Sequence, residues 1–166
     1  AVAMMLVGTV LNPEQMKQAI NALKQFKGLS HRMEFIAEKQ GIRFINNSMC
    51  TNPAAVKASL ESINAPVHVL VGGLNKDLDF STLRDFFQDR KEQVYLFGQD
   101  GAQINRELGG FYPVWSTMKE AFDAATREAK DGDIVMLAPG CASMDQFQDF
   151  RHRGDVFRTY VTDWTE

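Results

Sequence analysis

The chain has 166 residues, of which 45% are hydrophobic and 23% charged, and its formal net charge is −3. This composition supports one folded domain with a buried core and differs from that of disordered chains. The acidic balance argues against a nucleic-acid partner, and no apolar run approaches the ~20 residues that a membrane helix needs. The two cysteines have no further ligands at metal-site spacing, so no metal site is predicted. Because the pattern of a secreted protein is missing, we expect reduced thiols and a cytoplasmic location.

The first 29 residues differ in pattern from the rest of the chain. Residues 1–7 have the composition of a helix interior but carry no capping residue, which is unlike a natural N-terminus. Asn12 and Pro13 then form a capping pair that predicts the start of a helix, and Gly28 marks its expected end.

From residue 33 onward, the pattern predicts a β-hairpin followed by helices and strands. Residues 33–38 and 42–45 are the two strands of the hairpin, with a turn at 39–41. The elements predicted after it are helix 53–63, strand 66–71, helix 81–89, strand 93–97, helices 101–108 and 117–130, and strand 133–138, with a helical remainder. Continuous apolar strands between helices are typical of an α/β fold with a mainly parallel sheet and helices on both faces.

The loops that follow parallel strands meet at one edge of a sheet, so their polar residues are candidates for a site. In the loop 46–53, polar side chains precede a helix opened by Asn52 and Pro53, which suits a capped turn or an anion site. Gly72 and Gly73 would let a ligand approach the backbone, and Lys76 adds a cation, unless it is only a solvated surface lysine.

The segment 137–154 is the most informative of these loops. Its strand is predicted to end at residues 139–140, and Ser143 is the predicted N-cap of a helix that carries Phe147 and Phe150. Such a turn exposes backbone N–H groups that suit an anion, although an ordinary connection has the same pattern. Neither G-x-x-x-x-G-K-[ST] nor G-x-G-x-x-G occurs in the chain, so an NTP-hydrolysing site within it would be incomplete.

Four segments resemble, in order and in spacing, the C-terminal part of the Mur ligase family. They are residues 28–32, 43–53, 72–80 and 138–150. Each segment is weakly specific alone, whereas the four in sequence identify the chain as a member. The resemblance implies a Rossmann-like, amino-acid-binding domain over residues 30–166. It also implies that residues 1–29 are the C-terminal tail of the central ATPase domain.

The resemblance implies the chemistry of an ATP-dependent amide ligase. ATP and Mg²⁺ would convert a carboxylate of a UDP-N-acetylmuramoyl-peptide precursor of peptidoglycan into an acyl phosphate. The amine of D-glutamate or a related amino acid would then attack it. The UDP-sugar peptide and ATP would be held through domains outside this chain, which is expected to be inactive alone. The alternative is a non-catalytic binding or interaction module that keeps the fold.

The resemblance also implies the roles of seven residues, none of them catalytic and none a metal ligand. By position, Arg32 would meet ATP as the domains close, and Asn47 would reach the ribose side of the nucleotide. The residues implied around the incoming amino acid are Thr51, Lys76, Ser143, Met144 and Phe150, with Lys76 neutralising a carboxylate.

Two positions depart from the family motif. Asn47 stands where the family has an aspartate, and Met49 where it has a lysine. An amide still forms a hydrogen bond with a hydroxyl, but a thioether cannot pair with an anion. Loss of a buried cation costs about 2–5 kcal/mol of binding. The acceptor is therefore D-glutamate only if another residue supplies that charge, and otherwise it is a different amino acid.

Overall fold

Parallel strands and one antiparallel edge strand form a six-stranded sheet in the described part of the chain. The computed structural model describes residues 12–25, 28–90 and 93–165. The strands are β1 (Glu34–Lys39), β2 (Ile42–Asn46), β3 (Val67–Gly72), β4 (Gln93–Phe97), β5 (Val114–Trp115) and β6 (Ile134–Gly140). Their order across the sheet is β1-β2-β6-β3-β4-β5. The β1–β2 pair is antiparallel and every other pair is parallel, which confirms the predicted hairpin and sheet.

Helices lie on both faces of this sheet. The helices that the structure describes are α1 (Pro13–Gln25), α2 (Pro53–Glu61), α3 (Arg84–Arg90), α4 (Gly101–Glu107), α5 (Met118–Glu128) and α6 (Phe150–Asp163), with a 3₁₀ turn at Ser81–Leu83 before α3, and α1 precedes those that cover the sheet. The strands alternate their side chains between two cores. Val69 of β3 packs with Val56 of α2 in one core, whereas Leu70 packs with Phe122 of α5 and Phe157 of α6 in the other. The α/β prediction with helices on both faces is confirmed.

Side-chain caps explain where two of the helices begin. The Asn52 side chain accepts a hydrogen bond from the Ala55 N–H, and Pro53 occupies the first turn of α2. Thr117 and Glu120 form a reciprocal capping box at the start of α5. Because these caps act within a few residues, the sequence predicts both helix starts correctly.

The helix predicted from Ser143 is wrong. Residues 141–149 form turns, and α6 begins only at Phe150, where the Asp149 side chain accepts a hydrogen bond from the His152 N–H. The Ser143 carbonyl instead accepts hydrogen bonds from Gln146 and Phe147 and closes a local turn. Ser143 therefore lies in a loop beyond the sheet and does not cap α6.

The N-terminal helix α1 packs loosely against the rest of the described chain. None of its residues is buried, and Leu23 on its apolar face is 52% exposed. The helix begins as predicted, because Asn12 and Gln15 exchange side-chain to backbone hydrogen bonds of 2.9 and 3.0 Å. The helical pattern predicted for residues 1–7 lies outside the described residues.

None of the described helices has both the length and the apolar character that crossing a membrane requires.

Candidate functional site

The loops after the parallel strands are joined to one another by backbone hydrogen bonds. Leu74, after β3, and Ala142, after β6, exchange two hydrogen bonds of 3.0 Å. The Gly140 N–H donates to the Cys50 carbonyl at 3.0 Å, which ties β6 to the loop after β2. We call residues 47–52, 73–80 and 141–149 the edge loops. They form one connected surface at the edge where the parallel strands end.

Gly73 makes the contact between two of the edge loops possible. Its φ of +124° lies in a backbone region that residues with a side chain rarely adopt. A Cβ there would also collide with the Ala142 carbonyl oxygen. The sequence predicts that glycine at this position lets a ligand approach the backbone, whereas the close approach in the structure is one of backbone to backbone. The backbone it meets here is that of another loop of the same chain.

Lys76 is displayed on a rigid turn of the second edge loop. The Asn75 side chain exchanges hydrogen bonds of 3.0 and 3.2 Å with the backbone of Leu78, and the Asn75 N–H donates to the Asp100 carboxylate at 2.7 Å. Lys76 and Asp77 both have positive φ angles, of +52° and +60°. The lysine side chain is exposed, on the loop that Leu74 fastens to the Ser143 loop.

A cavity of about 320 Å³ opens beside the first edge loop. Its lining residues are Arg32, Met33, Asn47, Met49, Cys50, Ala55, Ala58, Ser59 and Ser62. The α2 segment contributes only alanine and serine to this lining, whereas the loops contribute one guanidinium and one amide beside Met33, Met49 and Cys50. The structure therefore brings Arg32 and Asn47, both predicted to contact the nucleotide, into the same cavity, together with Met49.

The Asn47 side chain is buried and already holds two neighbours. Its Nδ2 donates to the Ser59 Oγ at 2.8 Å, and its Oδ1 accepts from the Met33 N–H at 3.1 Å. The Ser59 Oγ in turn donates to the Ala55 carbonyl at 2.6 Å. Asn47 thus links the segment before β1 to α2, a structural role that the motif comparison did not predict.

The segment that carries Arg32 is held from both sides. His31 and Met33 have positive φ angles of +64° and +46°, which are rare for residues with a side chain. The Met49 N–H donates to the His31 carbonyl at 3.0 Å, and the His31 ring lies so close to Gly154 that a Cβ there would collide with it. Arg32 itself is exposed on this constrained segment, at the mouth of the cavity.

A family model described as Mur ligase, glutamate ligase domain, matches residues 31–141. The chain belongs to the Mur ligase family. Two curated relatives are named UDP-N-acetylmuramoylalanine--D-glutamate ligase. The protein of Syntrophus aciditrophicus (strain SB) is 42% identical over 147 residues, which are 87% of this chain and 32% of the relative. The protein of Koribacter versatilis (strain Ellin345) is 37% identical over 161 residues, which are 96% of this chain and 35% of the relative.

The chain spans about a third of the length of these curated relatives. A solved structure, that of the bifunctional folylpolyglutamate synthase/dihydrofolate synthase from Yersinia pestis CO92, matches with a TM-score of 0.63 at 19% identity. The match covers 91% of this chain and 35% of that chain. This likeness shows that the two share a fold.

In this Mur ligase domain, four of the five residues predicted around the amino acid lie on the edge loops. The fifth lies where the edge loop 141–149 meets α6. Thr51 and Met144 are exposed, Ser143 is buried, and Phe150 is half-buried at the first turn of α6. With Lys76 they share one edge of the sheet, as predicted. Among the described residues, no group of three or more His, Cys, Asp or Glu side chains could hold a metal ion.

Two residues of this edge, Arg153 and Asp145, were not predicted from the sequence as parts of the site. Arg153 of α6 is completely buried and donates hydrogen bonds to Ser48 and Cys141. One oxygen of Asp145, Oδ1, is buried without a hydrogen-bond partner in the described structure, while Oδ2 accepts from the Gln99 N–H at 3.1 Å. Arginine in a helix is usually exposed, so no local signal marks Arg153.

The two cysteines are inert components of this edge. Burial raises the pKa of the Cys50 thiol to about 11 and that of the Cys141 thiol to about 12. A thiol with such a pKa stays protonated at neutral pH, and the protonated form is a poor nucleophile. At neutral pH both cysteines are therefore protonated side chains that pack this edge.

Proposed function

We propose that the chain is the amino-acid-binding domain of an ATP-dependent acid–amino-acid ligase of peptidoglycan synthesis. In this proposal residues 1–29 belong to the central ATPase domain and residues 30–166 form the domain that receives the amino acid. The observation that carries it is the adjacency of two surfaces in a Mur ligase domain. A cavity with Arg32 and Asn47 lies beside edge loops that carry the exposed Lys76 and the buried Ser143.

The reaction is the formation of an amide in two steps. A carboxylate oxygen of the UDP-N-acetylmuramoyl precursor attacks the γ-phosphorus of ATP, which releases ADP and leaves an acyl phosphate. The amine of the amino acid then attacks the acyl carbon, and the bond to phosphate breaks as the amide forms and the amine loses its proton. Both steps bring negative charges together, so the site must compensate charge and hold the reactants in place.

This chain supplies cations on both sides of that reaction. Arg32 lies exposed at the cavity and would contact the phosphates of ATP when the ATPase domain closes over it. Lys76 would pair with a carboxylate of the amino acid, beside Thr51, Ser143, Met144 and Phe150. The Asn47 amide already forms hydrogen bonds with Met33 and Ser59, and it would contact the ribose through its remaining donor and acceptor positions.

Mg²⁺ would neutralise phosphate charge when it is bound with ATP. Because the described residues contain no metal-binding cluster, its protein ligands are expected from the ATPase domain. The UDP-sugar peptide would likewise be held mainly by the domains that precede this chain. A cytoplasmic location agrees with ATP as a substrate and with two reduced, buried cysteines.

D-glutamate is the proposed acceptor, because the two curated relatives described above are named as D-glutamate ligases. Met49 supports the alternative of a related amino acid, because it lines the cavity with an uncharged side chain. If Lys76 compensates one carboxylate, the second carboxylate of glutamate needs hydrogen bonds from neutral groups of the edge loops.

The test is the release of phosphate and ADP by a full-length protein in which an ATPase domain precedes this chain. ATP, Mg²⁺ and UDP-N-acetylmuramoyl-L-alanine are supplied, and amino acids are added one at a time. We expect turnover with D-glutamate or one related amino acid, and none with the 166-residue chain alone. A full-length protein that binds nucleotide but shows no turnover with any amino acid would favour a non-catalytic module.

A further inference from the structure

Arg153 of α6 is a charged residue buried inside the fold. Its side chain is 0% exposed. Nε and one terminal nitrogen donate to the Oγ and the carbonyl of Ser48 at 3.0 and 2.9 Å, and the other terminal nitrogen donates to the Cys141 carbonyl at 3.1 Å. Burial lowers the pKa of the guanidinium to about 10, so it is still charged at neutral pH. A buried charge is costly, and the hydrogen bonds offset that cost only in part.

These hydrogen bonds join parts of the site that are far apart in sequence. Ser48 lies in the first edge loop just before Thr51, and Cys141 lies in the last edge loop just before Ser143. The Ser48 Oγ also donates to the Phe150 carbonyl at 2.7 Å, which adds the first turn of α6. A planar guanidinium with several fixed donors suits such bridging, which a single ammonium group cannot reproduce.

The charge of Arg153 is not neutralised by contact. Its hydrogen-bond acceptors are two carbonyls and a hydroxyl, and it forms no ion pair with any carboxylate of the described residues. Asp145 attracts it electrostatically, and no hydrogen bond or ion pair joins these two described residues. A positive charge buried beneath the edge loops therefore acts on whatever binds above them, because screening by water is weak there.

We propose that Arg153 is the positioning residue of the acceptor site. It joins the loops of Thr51 and Ser143 to Phe150, and its charge favours an acceptor that carries carboxylates. This inference rests on the proposed function. Arg153 reaches no surface, so it acts through the edge loops and through its charge. The ligand class is an amino acid with one or more free carboxylates.

The test compares Arg153→Lys, Arg153→Met and Ser48→Ala in the full-length protein. Steady-state kinetics give separate KM values for the amino acid and for ATP. We expect Arg153→Met to raise the amino-acid KM about 30-fold and Arg153→Lys, which keeps the charge, about fivefold, with the ATP KM within about twofold of the parent. Ser48→Ala keeps the charge of Arg153 and removes the hydroxyl that accepts one of its hydrogen bonds, so its amino-acid KM should resemble that of Arg153→Lys. It replaces Arg153→Met in the test if Arg153→Met does not fold.

Arg127→Met is the matched control, because Arg127 is exposed in the last turn of α5. It should leave both KM values unchanged. Equal rises in the two KM values, or no rise in Arg153→Lys and Ser48→Ala, would overturn the inference while the parent protein still turns over. A parent protein without amino-acid-dependent turnover would instead overturn the proposed function, and the inference with it.

Discussion

Leu74 and Ala142 exchange two backbone hydrogen bonds of 3.0 Å, although they lie in loops that follow different strands. This bridge fixes the loop of Lys76 to the loop of Ser143. A cation and a hydroxyl that would face the same amino acid are therefore positioned by main-chain contacts. Side-chain flexibility in one loop does not alter the relation between the two backbones.

The bridge depends on Gly73, and Gly73→Ala should destabilise the chain by about 2–4 kcal/mol. The added Cβ would strain a φ of +124° and collide with the Ala142 carbonyl oxygen. Urea unfolding measures the change. Gly110→Ala is the control, because Gly110 also has a positive φ, of +85°, but a Cβ added there would meet no atom within 4 Å. A loss in Gly73→Ala no larger than in Gly110→Ala would mean that the loop contact is not tight.

Asn47 and Ser59 should be energetically coupled. Asn47→Asp replaces the Nδ2 donor with an acceptor, so the Ser59 hydroxyl either faces a carboxylate with its oxygen or turns its proton from the Ala55 carbonyl to that carboxylate. We expect a loss of about 1–2 kcal/mol in the free energy of unfolding. The loss should be smaller in a Ser59→Ala background, by at least about 0.5 kcal/mol in a double-mutant cycle. Strictly additive effects would show that the amide does not act on α2 through Ser59.

The two thiols should resist alkylation in the native chain. Burial raises the pKa of Cys50 to about 11 and of Cys141 to about 12, so iodoacetamide at pH 8 should label neither cysteine until urea unfolds the protein. The raised thiol pKa values also determine how the stability of the chain changes with pH. Their contribution to stability is complete below the ordinary thiol pKa of about 9 and is lost as the pH rises towards 11.

Mass spectrometry of labelled peptides identifies each cysteine separately. Native labelling of Cys50 or Cys141 at the rate of the unfolded chain would contradict the buried placement. Replacing both cysteines with alanine should flatten the loss of unfolding free energy between about pH 9 and 11, and an unchanged slope would assign that loss to other groups.

Met49→Lys tests which acceptor the site takes. Met49 lines the cavity with Asn47, so a lysine there would add a cation near the place where phosphate and carboxylate charges converge in the proposed reaction. We expect turnover with D-glutamate to be preserved or raised, and turnover with an acceptor that lacks a second carboxylate to fall. Met49→Leu is the control for shape. Identical rates and preferences in the two variants would mean that position 49 points away from the site.

Much of the fold is predictable from local patterns. The continuous apolar runs of β3 and β6 and the caps at Asn52 and Thr117 each act within a few residues, so these elements lie close to where the sequence predicts them. The two-residue strand β5 was missed, because Val114 is 40% exposed and such a short edge strand has no apolar pattern.

The contacts that organise the site are the part that local patterns miss. Ser143 has the residue type of an N-cap, yet the Leu74–Ala142 bridge holds its loop in turns and Asp149 caps α6 instead. Arg153 bonds to residues that are distant in sequence or across a loop, and its own helix gives no sign of burial. The positions of Arg32 and Lys76 follow from resemblance, whereas the connections that hold their segments are visible only in three dimensions.

Lys76→Ala tests most directly whether the edge loops receive the amino acid. In the full-length protein this change removes a cation that would pair with a carboxylate, so the KM for the amino acid should rise about 100-fold while the KM for ATP changes less than about threefold. Lys130→Ala, an exposed lysine between α5 and β6, should change neither value. Equal changes in both KM values, or no change in either, would contradict the assignment of this edge to the amino acid.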